Sequence, residues 1–152
     1  MNLDLSLLLE EELVTHYGRK IRLRDEKAEA LVVYFYPRAM TPGCTREAQR
    51  FNELLEEFKK CGVKVYGVST DPPERNRRFK ERYGLGFTLL SDSNGKLASK
   101  LGILKKGTKK PSAERTTFIV KGGKIVEILR NIRPAEKHAD LALEKVKSLL
   151  GC

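Results

Sequence analysis

Cys44 ends the stretch FYPRAMTPGC (35–44) and is followed by TREAQRF, which reads as the opening of a helix. With Thr41 as the N-cap, Pro42 falls at N1, a position proline favours, and Cys44 at N3. A thiol there stands in the first helical turn, among backbone N–H groups that have no intrahelical partner. Those donors and the positive end of the helix macrodipole favour a thiolate over a thiol. The chemistry this spacing prepares is nucleophilic attack by sulfur. Gly43 lets backbone and substrate approach closely, and the Thr41 hydroxyl can donate to a sulfur anion or to a bound oxygen. These spacings demote the alternative, a small buried cysteine that merely starts a core helix.

Other cysteine chemistry is restricted by number and spacing. The chain has three cysteines, Cys44, Cys61 and Cys152, which cannot all pair within one chain, and none forms a C-x-x-C. That argues against a secreted disulfide scaffold, a thioredoxin-type redox motif and the common zinc knuckles. The two histidines, His16 and His138, lie far from the cysteines in sequence, so no metal site is expected.

The elements that must position the thiol are legible around it. ALVVYFY (30–36) is β-branched, aromatic and unbroken, which suits a strand buried on both faces, and Pro37 stops it. In the next segment Ala48, Phe51, Leu54, Leu55 and Phe58 fall on one helical face. Cys61-Gly62 ends that helix, glycine being usual at the left-handed position that follows. VKVYGVS (63–69) is a second strand, and Asp71 with Pro72 opens a second helix running to Tyr83-Gly84. FTLL (87–90) is a third strand, and SDSNGKLASKLG turns into a short helix. RTTFIVKGGKIVEILR (115–130) is two strands joined by Gly122-Gly123, and an amphipathic helix follows from Pro134 to Leu150. Residues 3–9 and 19–24, around THYG, read as a lead-in hairpin.

The order β-α-β-α-β-α-β-β-α predicts one domain over residues 1–152, with a parallel core and antiparallel strands added at one side. This is an α/β fold of thioredoxin-like character, a mixed central sheet with flanking helices. In such sheets the functional crevice lies beyond the carboxyl ends of the strands, and Cys44 follows the first core strand within one loop.

A chain of 152 residues is long enough to bury about 70% of its unfolded surface. Charged residues make up 33% of it and the formal net charge is +10, which raises the question of nucleic acid. The basic clusters GRKIRLR (18–24), ERNRR (74–78) and KKGTKK (105–110) are interspersed with acidic residues and carry no binding motif, so nucleic acid is not the expected partner. High Lys, Arg and Glu with a single glutamine, Gln49, also fits a protein from a hot environment. The apolar run Leu7–Leu9 is flanked by acidic residues and does not read as a signal peptide, and ALVVYFY is too short to span a bilayer. No membrane association and a cytoplasmic location are expected.

The stretch PRAMTPGC (37–44) matches P-x-x-x-T-x-x-C and resembles the peroxiredoxin signature, and FYPRAMTPGCTREA is similar to the bacterioferritin comigratory protein (PrxQ) branch of that family. GVSTD (67–71), FTLLSDSNGKLASKLG (87–102) and RTTFIVKGGKI (115–125) match in order, so the resemblance runs from about residue 30 to the end. It implies a thiol-dependent, antioxidant peroxidase acting on hydrogen peroxide and alkyl hydroperoxides. Cys44 would be the peroxidatic cysteine, attacking the terminal peroxide oxygen and becoming a sulfenic acid. Thr41 would hold the substrate oxygen and Pro37 would shield the site from water. Arg115 takes the place of the family's active-site arginine, where a cation stabilises the thiolate and the charge on the leaving oxygen. Glu47, one turn beyond Cys44, would either buttress Arg115 or stabilise the first turn of the helix. No cofactor is required, because the sulfur itself takes the oxygen.

Two departures from the family pattern stand out. Many members of this branch carry a resolving cysteine five positions after the first, and here that residue is Gln49. Cys61 lies at the far end of the same expected helix, about 25 Å from Cys44, too far for a disulfide, and reads as an inert, partly buried residue. Cys152, the last residue, is the candidate resolving cysteine within this chain or a neighbouring one, the protein being a monomer or a homodimer. The leading expectation is a one-cysteine cycle, with a small thiol or a thioredoxin-like protein as reductant. A redox-sensing or chaperone-like binding protein using the same cysteine as a switch is the alternative from another class. The N-terminal segment also departs, lacking the family's G-x-x-A-P-D-F opening.

Overall fold

The computed structural model describes residues 5–152. It opens with a short helix α1 (Leu7–Glu10) and a small hairpin of β1 (Leu13–Thr15) and β2 (Lys20–Ile21). The hairpin does turn around THYG, but its first strand lies later than expected. The 3–9 segment is helical from Leu7, where Leu8 and Leu9 are buried, and Leu3 and Asp4 lie outside the described residues. Leu8, Leu9, Leu13 and Leu23 join one core cluster, so tertiary burial of a leucine-rich run overrides a weak alternation.

The central elements follow the expected order. They are β3 (Ala30–Phe35), α2 (Pro42–Glu53), α3 (Leu55–Lys60), β4 (Val63–Ser69), α4 (Pro73–Tyr83), β5 (Thr88–Ser91), α5 (Lys96–Lys100), β6 (Thr116–Lys121), β7 (Lys124–Arg130) and α6 (Lys137–Leu150). The described strands form one sheet in the order β2-β1-β5-β4-β3-β6-β7. β3, β4 and β5 are parallel, while β6 pairs antiparallel with β3 and β7 with β6.

Burial on both faces explains the unbroken apolar run of β3. Val32, Tyr34 and Tyr36 point to one core, with Ala48, Phe51 and Phe58 of α2–α3 and Val146 of α6. Leu31, Val33 and Phe35 point to the other, with Val68, Leu97, Phe118 and Val120. Period-two alternation thus divides one strand between two apolar layers.

The single helix expected between Cys44 and Cys61 is broken. Leu54, with φ −93° and ψ 1°, ends α2 and precedes α3. The apolar stripe continues through Ala48, Phe51, Leu55 and Phe58, all buried, so the periodicity carries no sign of the break.

The cysteines correct a second expectation. Cys61, read as inert, forms a disulfide with Cys152, with a Cα–Cα distance of 5.4 Å and a sequence separation of 91. Gly151, at φ 67°, ends α6 and turns Cys152 toward the end of α3. Ion pairs from Arg50 to Asp140 at 2.7 Å and from Lys147 to Glu57 at 3.7 Å hold α6 along the same α2–α3 face. The pairing depends on where α6 ends relative to α3, a distance that sequence separation does not encode.

Candidate active site

Thr41 is extended, with φ −85° and ψ 156°; Pro42 starts α2, and Cys44 is its third residue. The sulfur is nearly enclosed, Cys44 being 1% exposed, and it is the free cysteine of the chain. Arg115 reaches it from the entrance of β6, the strand beside β3. Its Nη2 lies 3.5 Å from Cys44 Sγ and its Nη1 donates to Glu47 Oε1 at 2.6 Å. Two elements distant in sequence are thereby brought to one atom. Gly43 is part of the fit, since a Cβ there would stand 3.2 Å from Arg115 Nη2. The close approach expected at Gly43 is that of the guanidinium.

Glu47 therefore buttresses Arg115. It is fully buried, and its second oxygen, Oε2, has no protein partner. Burial pushes its carboxyl up to about 8, against the pull of Arg115. Burial works against the charge of Arg115 too, but Glu47 and Cys44 outweigh it and raise its pKa. A protonated Glu47 still accepts the guanidinium's hydrogen bond while leaving most of its charge for the sulfur.

Two further groups frame the site that sequence reasoning did not single out. Tyr34, on β3, is buried with its hydroxyl unpartnered. Burial first, then Tyr36, Glu47 and Cys44, push its pKa well up, so it keeps its proton. His138, on α6, shares a 2.8 Å hydrogen bond between Nδ1 and Thr117 Oγ1, while Nε2 has no protein partner. Burial and then Arg115 lower its pKa to about 4, so the ring is neutral at pH 7. The tyrosine sits within the strand run that the hydrophobic pattern identified, and pattern alone gives no reason to separate it from its neighbours.

The loop between β3 and α2 is held by a buried polar cluster from β4 and α4. Asp71 Oδ2 accepts from the Ala39 N–H at 2.8 Å and from Ser69 Oγ at 2.7 Å. Arg75 pairs with Asp71 at 3.0 Å and donates to the Ala39 carbonyl at 2.9 Å. Tyr36 donates to Asn76 Oδ1 at 2.6 Å. This clamp stabilises Met40, which sits at φ 66° just before the N-cap, a conformation that disfavours side chains. GVSTD (67–71), quoted above as part of the family resemblance, thus contributes Ser69 and Asp71 as positioning residues.

The remaining expected residues are placed as follows. The Thr41 hydroxyl donates to the Arg38 carbonyl at 2.8 Å, so it offers lone pairs, as an acceptor from a peroxide O–H, where a donor was expected. Pro37 is half-buried, and its carbonyl accepts from Ser112 Oγ at 3.1 Å. Cys152, the candidate resolving cysteine, is bonded to Cys61; in this form its thiol is not available to Cys44. Among the described residues no His, Cys, Asp or Glu cluster could hold a metal ion.

A thioredoxin-like sheet that brings a helix-N-terminal thiol against an arginine–glutamate pair defines a thiol-based redox enzyme. The AhpC/TSA family matches residues 6–128. Peroxiredoxin Bcp of Bacillus subtilis (strain 168) is 37% identical over 143 residues, 91% of this chain and 90% of its own. Peroxiredoxin Q, chloroplastic, of Sedum lineare is 37% identical over 132 residues, 87% of this chain and 71% of its own. The bacterioferritin comigratory protein of Xanthomonas campestris, solved in a study of its alkyl peroxide reduction activity, superposes with a TM-score of 0.87 at 32% identity, covering 99% of this chain and 98% of its own. The chain belongs to the AhpC/TSA family, in its Bcp/PrxQ peroxiredoxin branch, and is a thiol-dependent peroxidase.

Proposed function

We propose that Cys44 is the peroxidatic nucleophile, acting on hydrogen peroxide and alkyl hydroperoxides with Thr41, Arg115 and Pro37 around it and Glu47 and Gly43 in support. The observation that carries this reading is the Arg115 guanidinium at 3.5 Å from Cys44 Sγ, anchored at 2.6 Å on Glu47. The thiolate sulfur attacks the terminal peroxide oxygen; the S–O bond forms as the O–O bond breaks. The electron pair of the broken bond leaves on the departing oxygen, which takes up a proton to become an alcohol or water. Sulfur is oxidised by two electrons to the sulfenic acid and the peroxide is reduced by the same two. Arg115 stands where the charge moves, and a cation fixed there in advance lowers the barrier. Thr41 accepts from the peroxide O–H, and Pro37 covers the approach.

The reductive half is assigned to an external thiol or a thioredoxin-like protein. One thiol condenses with the sulfenic acid, releasing water, and a second exchanges it away as a disulfide. Gln49 in place of a nearby thiol and the bonding of Cys152 to Cys61 support that assignment. The reading includes a cytoplasmic location, where such reductants are abundant. A disulfide kept there is a habit of proteins from hot environments, which the ionic surface also suits. The test is mass spectrometry under non-reducing conditions after one equivalent of peroxide. A sulfenic acid on Cys44 with Cys61–Cys152 intact is expected. A Cys44–Cys152 linkage would overturn the external-thiol cycle, and an unmodified Cys44 the assignment of the nucleophile.

A further inference from the structure

The cavity beside Arg115 is strongly cationic, and the peroxidase reading leaves its charge unexplained. It has a volume of about 570 Å³ and lies between the first turn of α2, the ends of β6 and β7 and the 131–135 connection to α6. That size suits a small organic ligand, far more than hydrogen peroxide needs. Its walls carry Arg46, Lys105, Arg115, Arg130 and Arg133 against one carboxylate, Glu114. Glu114 is taken by Arg130 at 3.0 Å, and Arg46 has only an exposed contact to Glu136 at 3.8 Å. Lys105 and Arg133 have no ion pair among the described residues. Lys105 is also the first residue of the basic run at 105–110.

A second observation points the same way. His138 is fully buried, lines this cavity, and has Nε2 without a protein partner. When Thr117 donates to Nδ1, the neutral ring carries its proton on Nε2 and offers it as a donor. A buried polar atom left unpaired is costly, and an acceptor that reached it from the cavity would satisfy it. Cations without an ion pair at the wall, with His138 behind them, suit a carboxylate, while Ile132 and Pro134 supply apolar surface for a carbon skeleton. Arg115 belongs to both places, since it lines the cavity and touches the sulfur.

We infer that this cavity is a carboxylate-binding subsite that selects organic hydroperoxides carrying a carboxylate, seating the acid among Lys105, Arg133 and His138 while the peroxide reaches Cys44. The inference rests on the peroxidase reading of Cys44. Screened cations at a cavity mouth act on both encounter and binding, so the preference weakens as salt rises.

The experiment compares cumene hydroperoxide bearing a para carboxylate with its methyl ester, by quenched-flow mass spectrometry of the oxygen added to Cys44. The ratio of their second-order rate constants cancels any general loss of reactivity in a variant. A ratio of about 10 in favour of the acid is expected at low salt, falling toward 1 in Lys105→Gln/Arg133→Gln and at high salt. A ratio near 1 in the unaltered protein, or one that the double variant leaves unchanged, overturns the inference. Binding of 4-isopropylbenzoate, which has no peroxide, is measured by calorimetry on Cys44→Ser and on Cys44→Ser/Lys105→Gln/Arg133→Gln. Binding lost in the second protein supports the subsite even if neither peroxide oxidises Cys44, an outcome that would refute the peroxidase reading instead. Equal binding to both proteins, or none, counts against the subsite.

Discussion

The two ends of the α2–α3 segment hold cysteines of similar burial and opposite chemistry. Cys44 is 1% exposed and Cys61 8%, so enclosure does not tell them apart. Cys44 stands in a first helical turn with a guanidinium on its sulfur, a setting that favours negative charge. Cys61 caps the opposite end, where the dipole disfavours a thiolate, and its sulfur is already bonded to Cys152. One end is arranged to react and the other to hold, and the difference lies in helix polarity and neighbouring charge.

Removing the sulfur at each end gives the largest effects. Cys44→Ser is expected to lower peroxide consumption by about 10⁴-fold or more, with an unchanged thermal midpoint. If consumption persists, the reactive end is misassigned. Cys61→Ser should do the reverse, because the disulfide closes a 91-residue span. Its loss should cost about 4 kcal/mol and lower the midpoint by roughly 10 °C, while the rate at 25 °C stays within about twofold. A Cys61→Ser protein that is stable but inactive would erase the contrast.

Smaller effects sharpen the reactive end. Arg115→Gln keeps a donor but removes the charge, and should slow Cys44 oxidation by about 10²-fold, as loss of a fixed transition-state donor does. Glu47→Gln should slow it by about 10-fold, through a misplaced guanidinium. It also carries a stability signature. The folded carboxyl titrates at about 8, above its ordinary value of 4.5, so the folded state holds the proton more tightly. Its contribution is full below about 4.5 and is lost as pH rises through 8. Denaturant midpoints at pH 6.5 and 8.5 should therefore fall in the natural protein and stay level in Glu47→Gln. Parallel profiles in the two proteins would show that Glu47 is already ionised at pH 6.5.

The reactive end was the more legible in sequence, because its determinants are local. Thr41, Pro42, Gly43 and Cys44 occupy consecutive positions whose capping geometry follows from residue type, and the β-branched run at 30–36 has one reading. Arg115 came from the family resemblance; its contact with Glu47 needed the antiparallel pairing of β6 with β3. The holding end was not legible. The break at Leu54 leaves the apolar stripe in phase, and the Cys61–Cys152 bond depends on the length and direction of α6. The Asp71–Arg75 clamp, Tyr34 and the free Nε2 of His138 were missed for one reason: buried polar partners come together only when strands and helices do.

Gln49 has a consequence for the lifetime of each molecule. It occupies an exposed turn of α2, five residues beyond Cys44. In the cycle proposed above, once the Cys44 sulfur carries an oxygen, no thiol on its own helix competes for it, and its fate is a race between an arriving thiol and a second peroxide. The second peroxide leads to a sulfinic acid, which ordinary thiols do not restore. The number of turnovers a molecule completes is set by the ratio of those two rates, so peroxide supplied faster than thiol retires the enzyme in proportion to the excess.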